Sequence, residues 1–150
     1  MTLKDQLYRI TAATETMDGA DYTLLLDSSD AIFRAHFPQM PVMPGVCIIQ
    51  TAVELAEELW RHRAGDKSIH LSLQSAKSIK FTAVISPERD VEIRCRIENF
   101  DCTPDERACS FQAVVTYGEE MKAKMSLRCI RKPSCHPEPV KGVDSSLRSE

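Results

Sequence analysis

The residues of this chain with the clearest chemical potential are one histidine and the start of a helix that follows it. His36 stands in the segment 36–45, HFPQMPVMPG. Its three prolines fix backbone φ angles and predict a stiff, non-helical loop. A histidine in such a loop is held near a helix N-terminus, where it could serve as a proton acceptor or simply lie on the surface or cap the helix.

The predicted helix start lacks a conventional cap. Pro44, Gly45, Val46 and Cys47 provide no Ser, Thr, Asp or Asn at the capping position, so the first backbone N–H groups have no side-chain acceptor in sequence. Gly45 leaves room for close approach, and the positive end of the helix dipole favours a developing negative oxygen. The pattern predicts an oxyanion site for a carbonyl or thioester. The alternative is a proline-initiated helix whose amides contact water.

Hydrophobic periodicity predicts the elements that position these residues. Apolar residues after Pro44 recur at spacings of three and four and predict one long buried helix that stops at Gly65. Seven further segments read as strands, the first two as a hairpin: 6–17, 22–26, 69–75, 78–84, 91–98, 108–117 and 121–129. An antiparallel sheet of about six strands must bury this helix against its concave face. We therefore expect an α+β, hotdog-like fold.

The length of 150 residues predicts a single domain. We assign it to residues 1–130 and expect the proline-containing, aperiodic tail at 131–150 to be disordered or loosely attached. A sheet with an open edge in the monomer predicts a homodimer, with an oligomer of dimers as a further option.

Composition disfavours several classes of function. A formal charge of −3 and a pI near 5.8 provide no overall basic field, so we do not expect nucleic-acid binding. The first twenty residues contain neither a secretory h-region nor a membrane span, so a cytoplasmic location without membrane contact is expected. Six cysteines without a CxxC pair predict reduced, mostly buried thiols. A zinc site from Cys129, Cys135 and His136 lacks the usual spacing, and no metal or redox cofactor is expected.

The segment HFPQMPVMPGVCIIQ resembles the signature of the β-hydroxyacyl-[acyl-carrier-protein] dehydratases, the FabZ/FabA type of the hotdog superfamily. The order of elements from about Leu7 to Cys129 agrees. The resemblance implies that His36 is the catalytic base and that the Gly45 amide binds the thioester carbonyl, with Val46 next in the motif. The implied reaction is reversible elimination of water from a 3-hydroxyacyl thioester to the trans-2-enoyl thioester, on acyl carrier protein or coenzyme A.

Position 50 departs from that family. The family has a carboxylate fourteen residues after the histidine, contributed across a dimer, and this sequence has Gln50. A neutral amide can hydrogen-bond the leaving hydroxyl but cannot protonate it. Either His36 moves both protons while Gln50 orients the hydroxyl, or the domain is a noncatalytic acyl-carrier-binding or partner-subunit module. Glu54 is a weaker candidate acid, and an acyl thioesterase is less favoured because it too would need a helix carboxylate.

Basic residues suggest how an acidic acyl carrier protein would dock. The candidates are Arg34, Lys77, Lys80, Lys122, Lys124 and Arg128. For Lys122, Lys124 and Arg128, a solvated strand face is an equally good explanation.

Overall fold

The computed structural model describes residues 2–35, 41–103 and 107–132. These ranges form a six-stranded antiparallel sheet with the order β1-β2-β4-β5-β6-β3, and one long helix. The predicted α+β arrangement and order of elements are confirmed. The elements are β1 (Tyr8–Glu15), β2 (Ala20–Leu26), α1 (Ala31–Ala35), α2 (Gly45–Ala64), β3 (Leu71–Phe81), β4 (Glu92–Thr103), β5 (Ala108–Tyr117) and β6 (Glu120–Arg131).

Helix α2 is the centre of the hydrophobic core. Ala52, Leu55 and Ala56 in its middle are fully buried and share one core cluster with inward-facing strand residues such as Leu24 and Ile93. Complete burial of a leucine or isoleucine side chain contributes about 1.5–3 kcal/mol. The wide apolar stripe in the sequence thus makes α2 an internal helix.

The C-terminal end of α2 is closed by several interactions. Gly65 adopts a left-handed conformation with φ of 64°, and its N–H donates to the carbonyl of Arg61. This is the predicted stop signal, since glycine tolerates positive φ at a helix end. Trp60 in the last turns packs edge-on against Phe100 of β4, with ring centroids 6.4 Å apart.

Two local features differ from the sequence-based expectation. The segments 69–75 and 78–84 form one strand, β3, because a register shift between Lys77 and Lys80 and a positive φ at Ser78 bend the strand without ending it. Helix α1 was not predicted. It begins where the Asp30 carboxylate accepts the N–H of Ile32 at 2.9 Å, a short capping interaction.

Strand β3 forms one edge of the sheet in the described part of the chain, and β1 forms the other. Most β3 residues are exposed, and three of them are large apolar side chains: Leu73, Ile79 and Phe81. At the other end of the chain, β6 runs to Arg131 and the Lys132 N–H bonds the His70 carbonyl. Residues 133–150 lie outside the described residues, so the expectation for the tail stays a prediction.

Candidate active site

The start of α2 presents backbone donors without a cap. Pro44 is the N-cap residue, and no side chain caps the helix or places an acidic group in its first turn. The Pro44 carbonyl accepts the N–H groups of Cys47 at 2.9 Å and Ile48 at 3.1 Å. Among the described residues, no acceptor pairs with the N–H groups of Gly45 or Val46. These two donors therefore stand at the positive end of a 20-residue helix, a location suited to an oxyanion.

Gly45 lies directly beneath an aromatic ring. A methyl group added at Gly45 would lie 2.9 Å from Cε2 of Phe81, which is inside van der Waals contact. Phe81 at the end of β3 is 48% exposed, and Val46 on the helix is 66% exposed. The Gly45 and Val46 amides are thus bordered by apolar groups that a ligand or a second chain could cover.

A backbone hydrogen bond joins the segment before α2 to the loop after β3. The Met43 N–H donates to the Ile85 carbonyl at 2.8 Å, and both side chains are buried. His36, together with residues 37–40, lies outside the described residues. Its assignment as the base therefore stays a prediction.

Gln50 lies on α2 five residues after Gly45 and hydrogen-bonds to Glu54. Its Nε2 donates to Oε2 of Glu54 at 3.0 Å, an i,i+4 contact along the helix. The same carboxylate accepts the N–H of Leu3 at 2.8 Å, the N–H of Lys4 at 2.9 Å and the hydroxyl of Tyr8 at 2.8 Å. Because all four contacts use Glu54 as an acceptor, it anchors the N-terminal turn and is poorly placed to supply a proton to a substrate.

Burial and the neighbouring Glu54 charge raise the pKa of Tyr8 far above its ordinary value. Tyr8 therefore remains a neutral hydroxyl that donates to Glu54. Burial also raises the pKa of the Cys47 thiol in the first turn of α2, and the Asp30 charge adds to this. Cys47 stays protonated at neutral pH and is an unsuitable nucleophile.

A cavity of about 260 Å³ opens beside Gln50. Its walls include Val53 and Glu57 of α2 and Leu71 at the start of β3. The Leu71 N–H donates to Glu57 at 2.8 Å, which ties the strand to the helix at this point. Gly45 thus lies near the end of β3, and Gln50 lies on α2 between Gly45 and Glu57, the residue that bonds the start of β3.

Lys122 contradicts the expectation of a solvated strand face. The pairs Val115–Ala123 and Thr116–Met121 leave Lys122 as the extra residue of a β-bulge in β6. The bulge turns its side chain inward, and the residue as a whole is 1% exposed, while Met121 is 38% exposed. Lys122 therefore cannot contribute to a docking surface. Among the other basic candidates, Lys77, Lys80 and Lys124 are exposed and Arg128 is half-buried, whereas the side chain of Arg34 lies outside the described residues.

The five described cysteines are free thiols, of which Cys102 is half-buried and four are buried: Cys47, Cys95, Cys109 and Cys129. Within the described ranges, no group of three or more His, Cys, Asp or Glu side chains is arranged to hold a metal ion. Cys135 and His136, the other members of the disfavoured zinc site, lie outside those ranges. No helix in the same ranges is both long and apolar enough to cross a bilayer.

A family model described as ApeI dehydratase, of the ApeI-like family, matches residues 12–126, from β1 into β6. The chain belongs to the ApeI-like dehydratase family. The matched range contains the Gly45 and Val46 amides, Gln50 and Glu54, so the family assignment rests on the part of the chain that carries the candidate site.

Curated relatives of this ApeI-like chain include dehydratases of acyl carrier protein substrates. The 3-hydroxyacyl-[acyl-carrier-protein] dehydratase FabZ of Rickettsia felis is 30% identical over 95 residues, which are 61% of this chain and 61% of that protein. The FabZ of Bartonella quintana is 33% identical over 66 residues, 43% of each chain. The chain therefore spans less than two thirds of the length of these relatives.

Solved structures confirm the hotdog fold. A chain of the dehydratase heterocomplex ApeI:P from Xenorhabdus doucetiae superposes with a TM-score of 0.59 at 19% identity, covering 83% of this chain and 98% of that chain. The thioesterase HI1161 from Haemophilus influenzae gives a TM-score of 0.57 at 13% identity, covering 89% and 84%. At these identities the likeness shows the fold alone, and the fold is shared by dehydratases and thioesterases.

Sequence reasoning missed the surroundings of the site. The i,i+4 spacing of Gln50 and Glu54 was visible in the sequence, but the bonds from Leu3, Lys4 and Tyr8 to Glu54 cross about fifty residues. No pattern in the sequence indicated that Lys122 is buried, because only the pairing of β5 with β6 reveals the bulge.

Proposed function

We propose that this protein catalyses the reversible elimination of water from a 3-hydroxyacyl thioester, giving the trans-2-enoyl thioester. The observation that carries the proposal is the pair of N–H groups of Gly45 and Val46, which have no acceptor among the described residues at the positive end of α2. Membership of the ApeI-like dehydratase family supports the reaction class.

The proposed elimination needs two proton transfers and the cleavage of one C–O bond, with no oxidation or reduction. The thioester carbonyl accepts hydrogen bonds from the amides of Gly45 and Val46, which stabilises the enolate formed when the C2 proton leaves. The neutral imidazole of His36 takes that proton. The C2 electron pair then forms the C2–C3 double bond as the C3–O bond breaks, and the imidazolium returns its proton to the departing oxygen to give water. We therefore expect no metal or redox cofactor.

Gln50 is proposed to orient the leaving hydroxyl. Its amide can donate a hydrogen bond to the C3 oxygen but cannot protonate it at neutral pH. Glu54, which holds the Gln50 amide at 3.0 Å, limits how that amide can rotate. In this scheme His36 is both base and acid, and Gln50 lowers the barrier by positioning alone.

The position of β3 supports a site shared between two copies. Leu71 at the start of β3 lines the Gln50 cavity, and Phe81 at its end packs on Gly45. If the exposed edges of two β3 strands pair antiparallel, the start of each strand lies across from the end of the other. In such a dimer the exposed Leu73 and Ile79 become part of the interface, and we propose that Gln50 of one copy faces the Gly45 amide of the second copy.

The carrier of the acyl chain is proposed to be an acyl carrier protein or coenzyme A. Lys77, Lys80 and Lys124 are exposed on β3 and β6 and offer positive charge to an acidic or phosphorylated carrier. We propose a cytoplasmic setting for this reaction, and that the domain at residues 1–130 carries it.

The test is hydration of a trans-2-enoyl thioester by the full chain. The reaction is monitored by the loss of the conjugated-enoyl absorbance. His36→Ala should lower the rate by about 10²–10⁴-fold, because it removes the general base. His62→Ala is the matched control, since His62 is 77% exposed near the opposite end of α2. A wild-type rate no higher than that of His36→Ala would reject the enzymatic proposal.

The presence of Gln50 favours one alternative, an acyl-carrier-binding module without turnover. This alternative predicts that the dimer binds acyl-loaded carrier protein in a titration while the absorbance assay stays flat. A thioesterase would instead release the free carrier thiol, which mass spectrometry of the products detects. These measurements on one protein preparation thus distinguish dehydratase turnover, carrier binding without turnover, and thioester hydrolysis.

A further inference from the structure

Lys122 is a buried ammonium group with three acceptors. Its Nζ donates to the Val84 carbonyl at 2.9 Å and contacts carboxylates of Asp90 at 3.0 Å and Glu120 at 2.9 Å. The Lys122 and Asp90 side chains are 2% and 3% exposed, whereas Glu120 is 58% exposed. Burial alone lowers the pKa of Lys122, but the bonds to Glu120 and Asp90 outweigh this and raise it. The ammonium is therefore charged at neutral pH, with its three N–H groups matched by three acceptors.

These contacts fasten residues 82–90, the 82–90 loop, to β6. The backbone carbonyl of Lys122 accepts the N–H groups of Thr82 at 2.9 Å and Ala83 at 3.3 Å. Asp90 at the far end of the loop also accepts the Ser86 N–H at 3.1 Å. Lys122 thus holds the loop at its start, through its carbonyl, and at its end, through Asp90.

The 82–90 loop contacts the candidate oxyanion site from two directions. The Ile85 carbonyl accepts the Met43 N–H at 2.8 Å, two residues before Gly45. Phe81, which precedes the loop, packs on Gly45, and Phe81 pairs across the sheet with Ala123, the neighbour of Lys122. These contacts connect Lys122 to Gly45 by two routes, one through Ile85 and Met43 and one through Phe81.

We propose that Lys122 is a positioning residue for the candidate oxyanion site: by locking the 82–90 loop it sets where the Gly45 and Val46 amides point. The catalytic part of this proposal rests on the proposed dehydratase function, and the structural part does not. A buried apolar side chain would fill the same space, but it would not fix the Val84 carbonyl and the Asp90 carboxylate by directional bonds.

The variant Lys122→Met/Asp90→Asn tests the structural part. Removing both charges avoids leaving one of them buried and unpaired, so the chain is expected to fold. Hydrogen–deuterium exchange of the full chain should accelerate at least about tenfold in residues 82–90 and also in 41–47, while β5 stays protected. Glu120→Gln is the matched control: it removes a carboxylate from the same ammonium but leaves the loop contacts intact, so exchange should not change.

Enzyme kinetics of the same double variant test the catalytic part of the proposal. Displacement of the amides should lower kcat for enoyl thioester hydration by about 10–100-fold, with KM changed less than about threefold, because the amides act on the charge that develops in the transition state. Phe111→Leu, in the aromatic cluster with Phe100 at the far end of α2, provides a destabilised control whose kcat should be retained.

The outcomes are separable. Faster exchange confined to residues 82–90, with 41–47 unchanged, overturns the proposal whatever the activity. Faster exchange in both segments with unchanged kcat overturns the catalytic part. If the wild-type protein has no activity, the exchange data still decide the structural part, and the proposed dehydratase function fails by its own assay. Should the double variant not fold, Asp90→Asn alone must give the same exchange pattern at smaller amplitude.

Discussion

The two ends of helix α2 differ in how their backbone groups are satisfied. At the C-terminal end, the Gly65 N–H closes the helix by donating to the Arg61 carbonyl, and Arg61 and Arg63 place positive charge near the negative end of the dipole. The Arg63 guanidinium also lies 5.5 Å from the centre of the Phe100 ring. This end is arranged for stability.

The N-terminal end has the opposite character. It has no side-chain cap and no acidic residue in its first turn, and Val46 is exposed. Since a good cap contributes about 1 kcal/mol, leaving one end uncapped has a measurable cost in stability. The N-terminal end therefore leaves available the N–H donors that the proposed oxyanion site requires, and such departures from local rules of stability are expected at functional sites.

Gly45→Ala should have the largest effect on function. The added methyl group would lie 2.9 Å from Phe81 Cε2, so it pushes the ring aside or fills the space in front of the amide. We expect activity to fall by about 10²–10³-fold, as when an oxyanion donor is lost. The melting temperature should change little, because the ring is half-exposed and can move. Enoyl thioester kinetics together with thermal unfolding measure both, and retained activity would show that the amide does not bind the carbonyl.

Gln50→Glu tests the role of the side-chain amide at position 50, in the N-terminal half of α2. The new carboxylate would meet Glu54 where the amide now donates at 3.0 Å, and two carboxylates at that distance share a proton. The pKa of the pair is then raised, and position 50 can act as an acid. We expect kcat for dehydration to be unchanged or to rise by up to about 10²-fold at low pH, with any gain lost as the pH increases through the raised pKa.

The measurement is the ratio of kcat for Gln50→Glu to that of the wild type across pH. Gln50→Ala is the companion variant and should fall below the wild type, because it removes the donor without adding an acid. A ratio below one at every pH would mean that the amide itself is required.

Local patterns predicted the two ends of α2 well. The glycine stop at Gly65 and the uncapped Pro44–Gly45 start depend on residues adjacent in the chain, so the sequence is sufficient to identify them. Strand β6 and the first part of β4 were predicted for the same reason, since alternation with period two is a local property.

Contacts between distant segments were not predictable in the same way. The inward turn of Lys122 depends on one extra residue in the pairing of β5 with β6, and a shift of one residue reverses which face a side chain occupies. The role of Glu54 as an anchor depends on the N–H groups of Leu3 and Lys4, which only the folded chain brings to the helix.

Gly65→Ala should affect stability and not activity. Alanine tolerates the left-handed conformation poorly, with a cost of about 1 kcal/mol, and nothing in the surroundings of Gly65 would meet the added methyl group. For a protein of this size, the melting temperature should fall by about 2–4 °C. Activity per folded molecule should match the wild type. A loss of activity here would show that the two ends of α2 are not independent.

Asp66→Asn should give the smallest effect and has a defined pH dependence. Asp66 follows Gly65, accepts hydrogen bonds from the hydroxyl and N–H of Ser68, and contacts Arg131 at 3.1 Å. The Ser68 bonds, together with Arg131, lower the pKa of Asp66 below its usual value of 3.8. A carboxylate with a lowered pKa stabilises the fold above its unfolded pKa, and this contribution is lost as the pH falls through the folded pKa. The difference in melting temperature between the wild type and Asp66→Asn should therefore be present at pH 7 and shrink below pH 4; a difference that grows on acidification would contradict this.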